Sequence, residues 1–457
     1  MGNQQRNRPH GRHAYRKITI GLLLAISLYW ALATDSVRAL PAQPISSTVD
    51  VTEDVKAMGY PDGRKIARDH AGNLYVAYRK KYKEQLRTAY HIFVAKSVDN
   101  GRVWTVLNHG MPIEQTGDQN QRVPAIAIDS QDTIHVVWYG KDGNNYRSAE
   151  NQIKYARSTD HGQNWSTWRN IGYIAGYREQ DLWQEHPIIY IDPTDQLFVV
   201  WEGYDVDHPT AVQVKLIRSA DRGQSWSRWQ NVAPSSVNRS RPTIVGTAHG
   251  ILYVLAYGRT DNRQQIVYTR SKDGGATWEQ WLPVAPSISE QRHVSAVTDR
   301  QGNLHTVWRQ QPVSLLTGTV FQRNNVKTQI YYADFDGHDW SKPLAIRANP
   351  AAAQTFPSIG LMTMDNDRAE TDTVWVAWSE TQGTYDYPND TLVSGEIFAA
   401  AKTANGWQAP IQLASGSYNV YASLADWQSS RGLDVVWLNN QPNLKRIQLP
   451  KLIQRSC

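Results

Sequence analysis

Five pairs of adjacent residues, Arg122-Val123, Glu185-His186, Ser240-Arg241, Arg292-His293 and Thr355-Phe356, stand immediately before runs that carry all or part of the pattern P-x-I-x-x-D. Three arginines, a glutamate and two histidines therefore share equivalent places. A guanidinium is a planar fork of N–H donors that grips a carboxylate bidentately, and histidine or glutamate beside it can move a proton. The set points to an acidic ligand handled with proton transfer. Residues in five separated segments can build one site only if those segments are repeats arranged around a common centre.

The chain is a repeat array. The pattern S-x-D-x-G-x-x-W occurs intact four times, as "SVDNGRVW" (97–104), "STDHGQNW" (158–165), "SADRGQSW" (219–226) and "SKDGGATW" (271–278), and twice in worn form, as "DFDGHDW" (334–340) and "KTANGW" (402–407). The six box tryptophans, Trp104, Trp165, Trp226, Trp278, Trp340 and Trp407, are spaced 61, 61, 52, 62 and 67 residues apart, a period that marks stacked supersecondary units. In each box the Asp can accept N–H groups of its turn, the Gly permits positive φ, and the Trp can pack beneath the hairpin.

Each unit reads as four short strands around its box. One begins "RVPAIAID" (122–129), continues "TIHVVW" (133–138) and "IKYARS" (153–158), and ends after the box with "STWRNI" (166–171). Val-, Ile- and Tyr-rich runs bounded by Gly, Asp and Asn at this spacing form an antiparallel meander. A four-stranded sheet too small to bury both faces must stack on its neighbours, which predicts an all-β chain folded as a β-propeller of four-stranded antiparallel blades. Six blades are complete, at about 61–107, 122–171, 184–232, 240–284, 292–346 and 354–413. A seventh begins with "YASLAD" (421–426), "LDVVWL" (433–438) and "LKRIQL" (444–449) and lacks a fourth strand, which "ISSTVDVTEDV" (45–55) is placed to supply. The count is seven blades, with six as the alternative. The expected organisation is a leader over 1–33, an N-terminal segment over 34–60, the propeller over 61–449 and a tail over 450–457.

The boxes resemble the Asp-box (BNR) repeats of the sialidase-like propellers, over about 61–449. That superfamily also includes polysaccharide-active propellers and propellers that only bind, so the motif speaks to fold more than to activity. In such blades the start of the innermost strand and the loop after the second strand open on one face, and the boxes lie on the other. The resemblance implies a carboxylate clamp of three arginines, a Tyr nucleophile activated by Glu, and an Asp acid/base. "QRVPAI" (121–126) is similar to the family's first arginine motif, with Gln121 in place of an aromatic, which makes Arg122 the first clamp member, and Arg241 and Arg292 the others by blade position. That motif sits here in the second blade, whereas the first carries "DGRKI" (62–66). Carboxylates expected on the same face are Asp142, Glu202, Asp205, Asp207 and Glu380, and tyrosines Tyr78, Tyr139, Tyr204 and Tyr257. Among them Glu202 and Tyr257 are taken as base and nucleophile, as retaining chemistry requires, and Asp142 as the acid.

His186 and His293 at the rim support a competing enzyme, a polysaccharide lyase or hydrolase using His and Tyr, and a non-catalytic carbohydrate- or protein-binding propeller is the third reading. Of the 18 tryptophans, Trp183 lies in a connecting segment beside Glu185 and His186, where an indole can stack on a sugar face or serve as a buried staple. No Gly-rich phosphate loop, H-x-x-x-H pair or Cys cluster is present, so neither a metal nor another cofactor is expected.

Residues 15–33, "YRKITIGLLLAISLYWALA", follow Arg6, Arg8 and Arg12 and read as a signal peptide ending near Ala33, with export to the periplasm or medium; an uncleaved membrane anchor is the alternative. Without residues 1–33 the formal charge falls from +6 to +1, and no Lys/Arg stripe survives to recruit nucleic acid. The expected partner is a glycan or polysaccharide. The single Cys457 forms no internal disulfide.

Overall fold

The computed structural model describes residues 46–449, apart from 85–86, 115, 117–118, 143–149, 173–181, 261–262, 312–326, 365–370, 384, 387–390, 393–394, 404, 417, 426, 429–431 and 440–442. The leader at 1–33, Cys457 and most of the connection before Trp183 lie outside the described residues. Seven antiparallel sheets of four principal strands follow one another around a ring.

Blades 1 to 5 open with Ile66–Arg68, Gln121–Ile128, Gln184–Ile191, Arg239–Gly246 and Gln291–Thr298, and each runs inner strand, second strand, third strand, outer strand in chain order. Blade 6 opens with Ala353–Met364 and also pairs that strand in parallel with Trp427–Gln428. Blade 7 is made of Val420–Leu424, Asp434–Leu438 and Asn443–Gln448, and its fourth strand is Ser47–Val51, paired antiparallel with Asn443–Gln448.

Second strands such as Ile134–Gly140 and Leu197–Gly203 are buried along their whole length, because a sheet with a neighbour on each face has no solvent side. That is why they read as unbroken Val/Ile/Trp runs rather than alternating ones. The apolar clusters accordingly fall between consecutive blades. One larger cluster spans blades 6, 7 and 1 and includes Val49 of the closing strand. Five fully buried tryptophans end the second strands of blades 2, 3, 5, 6 and 7, and each indole N–H is satisfied: Trp138 donates to Gln121 Oε1 (3.0 Å) and Trp201 to Gln184 Oε1 (2.7 Å), as a buried indole requires.

The four intact boxes have the same wiring. Ser97, Ser158, Ser219 and Ser271 donate their hydroxyls to Asp99, Asp160, Asp221 and Asp273 at 2.7–2.8 Å. Each Ser oxygen in turn accepts the N–H of the box Gly at 2.8 Å. Each Asp also accepts the backbone N–H four residues on at 2.8–2.9 Å, and the Gly residues sit at φ 77–87°. These turns lie at the end of the blades remote from Arg122, Glu185 and Arg292, so the boxes build scaffold.

Candidate functional site

Every inner strand from blade 2 to blade 7 carries a β-bulge at its entry, between Arg122/Ala125, Glu185/Ile188, Ser240/Thr243, Arg292/Ser295, Thr355/Ser358 and Val420/Ser423. A bulge re-aims a side chain, and at each one a non-glycine residue adopts a left-handed conformation: Val123, His186, Arg241, His293, Phe356 and Tyr421, with φ of 47–59°. Repetition of so uncommon a backbone state marks one ring of six residues at the mouth of the central channel.

Tyr60 fills that ring. It precedes the first blade, outside the repeats, and its aromatic ring is stacked on His293 (5.6 Å), edge-on to His186 (6.2 Å) and Tyr421 (6.0 Å), and tilted against Phe356 (5.8 Å). The Arg241 guanidinium lies 4.2 Å over its face. Gly59 must be glycine: its φ is +65°, and a Cβ there would come within 2.7 Å of Val123 Cγ2.

The charged side of the mouth lies on blades 2, 3 and 4. Glu185 and Glu202 are cross-strand partners; His186 Nε2 is 3.4 Å from Glu185 Oε2 and 3.5 Å from Glu202 Oε1. Glu202 also accepts the Arg241 backbone N–H (2.8 Å) and lies 3.6 Å from Arg241 Nε, while Arg241 Nη1 is 3.4 Å from Asp62. The Arg241 side chain is 17% exposed. Burial works against its charge, but Tyr257, Asp62 and Glu202 outweigh that and hold its pKa above the ordinary guanidinium value. Tyr257, the cross-strand partner of Ser240, is partly exposed beside it. Arg122 is exposed and pairs across the strands with Tyr139, which packs edge-on to His186 at 5.0 Å. Burial chiefly, and then the charge of Glu185, push the Tyr139 phenol upward, so it stays protonated.

The predicted residues divide. Arg241, Glu202, Tyr257, Glu185 and His186 form one cluster, with Arg122 reaching it through Tyr139. His186 and His293 are buried and serve the packing around Tyr60. Arg292 is 3.5 Å from Glu290 instead. Burial opposes the charge of Glu185, but His186 foremost, then Asn151 and Trp183, outweigh it and keep that carboxyl below its usual range; the Trp183 ring tilts against Tyr204 at 5.8 Å. Asp142 is buried among Lys154 and Asn170, and Asp205 repeats that arrangement one blade on with Lys215 and Asn231. That recurrence, legible when the two blades are aligned, identifies a scaffold ion pair. Glu380 accepts from Asn349 and Gln354. Tyr78 donates to Asp50 at 2.6 Å.

Sequence reasoning passed over Tyr60, which belongs to no repeat, and Asp62, which opens the "DGRKI" stretch of the first blade where the arginine motif is missing. It also passed over Lys65, fully buried beneath them, whose Nζ donates to Pro124 O and whose pKa burial pulls down to about 7 against the pull of Asp62. Below this level Arg64 spans the channel, donating to the carbonyls of Ile359 and Ala296. The far end of the channel holds a cavity of about 590 Å³ among Asp129, Asp192 and Asp299, on the box face and away from the cluster. Among the described residues no group of three His, Cys, Asp or Glu could hold a metal ion.

The model of the BNR repeat-like domain matches residues 132–385, and that of a BNR repeat-containing family member matches residues 30–196. Among solved structures, an ulvan lyase bound to a glucuronate and sulfated-rhamnose repeat aligns with a TM-score of 0.57 at 9% identity, over 89% of this chain and 96% of that one. A second polysaccharide lyase aligns at 0.51 and 10% identity, over 91% and 94%. A Hadza microbial sialidase aligns at 0.49 and 15%, over 89% and 68%. At such identities the likeness is one of fold. No curated protein matches the chain in sequence.

Proposed function

Since the chain belongs to the BNR repeat-like domain family, we propose that its channel mouth binds an acidic glycan and cleaves it by β-elimination, with Tyr257 as the proton-transfer group. The observation that carries this reading is the partly exposed Tyr257 beside Arg241, a cation fixed from three sides by Glu202, Asp62 and Tyr60. A neighbouring cation favours the charged, reactive form of a phenol, and cations in a dry site act most strongly.

In a uronate the carbon next to the carboxylate carries an acidic hydrogen. Arg122, exposed at the rim, takes the carboxylate and makes loss of that hydrogen easier. Tyr257 as phenolate accepts the proton, the C–O bond on the adjacent carbon breaks as the C=C bond forms, and the phenol returns the proton to the departing oxygen. Atoms and charge balance without a co-reactant. Retaining hydrolysis would need a carboxylic acid as well, and Asp142 is committed to Lys154. The ulvan lyase of the same fold is solved with a glucuronate-containing repeat bound, which is consistent with this chemistry.

The test is to incubate the protein with polyuronates and follow the ultraviolet absorbance of the conjugated product, alongside a fluorogenic sialoside. Absorbance growth that Tyr257→Phe abolishes supports elimination. Sialoside hydrolysis without it would make Tyr257 a nucleophile, and inertness toward both would leave a binding propeller. Export is part of the proposal: secreted protein should begin near Thr34, and Met1 found on membrane-bound material would overturn it.

A further inference from the structure

The segment between the ring-closing strand and the first blade does more than connect them. Residues 54–63 cross the channel mouth, tied down where Asp54 pairs with Arg79 and where Arg79 N–H donates to Ala57 O at 2.7 Å. At the axis Tyr60 lies flat under the Arg241 guanidinium, and two residues on Asp62, buried, faces Nη1 of the same group. Glu202 stands at its Nε edge. A flexible arginine stem has several rotamers, and closing one face and two edges leaves the guanidinium one place to sit.

We propose that Tyr60 and Asp62 are positioning residues: they hold Arg241 in the one orientation that sets its charge beside Tyr257. This rests on the reading of Tyr257 as the reacting group, but the geometry it asserts can be tested without turnover. Neither residue touches substrate, and both act through Arg241. The aromatic ring of Tyr60, rather than its hydroxyl, carries the effect, because the contact to Arg241 is made through the ring face.

Two measurements decide the matter. With a polyuronate substrate, Tyr60→Leu and Asp62→Asn should each lower kcat about tenfold or more, as small misplacements of catalytic groups do, while KM stays within about twofold, as expected when ground-state binding is untouched. Tyr60→Phe should recover most of the loss. A raised KM at constant kcat, or a Phe variant as impaired as the Leu variant, overturns the proposal.

The second measurement is the exchange of the Arg241 Nε–H by NMR, identified by the peak that Arg241→Lys removes. Slow exchange in the wild type that becomes fast in Asp62→Asn and Tyr60→Leu, and stays slow in Tyr60→Phe, supports the positioning role even if every glycan proves inert and the elimination reading fails. Fast wild-type exchange, like that of a solvated arginine, refutes the positioning role even if elimination is observed.

Discussion

Glu185 and Glu202 stand directly opposite each other on the first two strands of blade 3, and the His186 imidazole bridges their carboxylates at 3.4 and 3.5 Å. Like charges so placed are destabilising, so the pair is tolerable only because His186, Arg241, Asn151 and Trp183 supply donors.

His186→Phe keeps an aromatic ring against Tyr139 and removes the bridge. It should cost about 2 kcal/mol at pH 7, the scale of buried charged groups losing a donor. Glu185 ionises below its ordinary value of 4.5 in the folded protein, with burial opposing and His186 foremost among the groups lowering it. A depressed carboxyl stabilises the fold above its unfolded pKa, and that stability drains away as pH falls through the folded value. The gap between wild type and variant should therefore be full at pH 7 and smaller at an acid pH well below 4.5, as the pH falls through the folded value. Urea titrations at the two pH values read it, and an equal gap at both would refute the assignment.

Asp142→Asn separates scaffold from chemistry. It strands Lys154, whose pKa burial already lowers and Asp142 props up, and breaking a buried pair costs about 3–5 kcal/mol. The expected result is a large drop in Tm with the specific activity of the folded fraction retained. Normal stability with activity lost would return Asp142 to the role of acid.

Arg122→Lys keeps the charge and loses the planar fork. Affinity for an acidic oligosaccharide should fall by roughly tenfold to a hundredfold, matching loss of a charge-assisted bond of about 1.5–3 kcal/mol, with its neutral counterpart unaffected. Calorimetric titration of both sugars checks this, and equal losses for the two would mean that Arg122 does not read the carboxylate.

The boxes should show themselves in acid. Asp221 is pulled to about 2, burial opposing and Ser225, Ser219 and the turn N–H groups prevailing, and Asp160 likewise with Asn164 and Ser158. Their contribution is complete above about pH 4 and is lost toward pH 2. Asp221→Ala should lower stability at pH 7 by about 1 kcal/mol, because solvent screens so exposed a group, and should leave glycan affinity untouched. A thermal melt series from pH 7 to pH 2 should show the two proteins converging.

Seven sheets, their strand order and the box turns were legible because each is specified within about 60 residues and then said again, so that alignment of the units filtered out local ambiguity. The rim residues Arg122, Glu185, His186 and Arg241 were legible for the same reason. Which of them cooperate was not, since Arg241 faces Glu202, Asp62 and Tyr60 across three different segments. Tyr60 was invisible for a plainer reason: it occurs once, in a linker, and its place at the axis is set by six residues 63 to 361 positions away. The pairing of Asp142 with Lys154 was within reach, because Asp205 and Lys215 repeat it.

The pairing of Ser47 with Arg446 makes synthesis order matter. Nearly 400 residues separate the two halves of that seam, and at 5–20 residues per second a ribosome needs on the order of 20–80 s to cover them. Throughout that interval the first strand has no partner, and Tyr60 has no ring to fill. A nascent chain released early would lack Asn443–Gln448 and would present the unpaired strand Ser47–Val51, together with the uncovered face of whichever blade came last, to its neighbours. Truncated products of this protein should therefore be recovered as aggregates, not as shorter propellers.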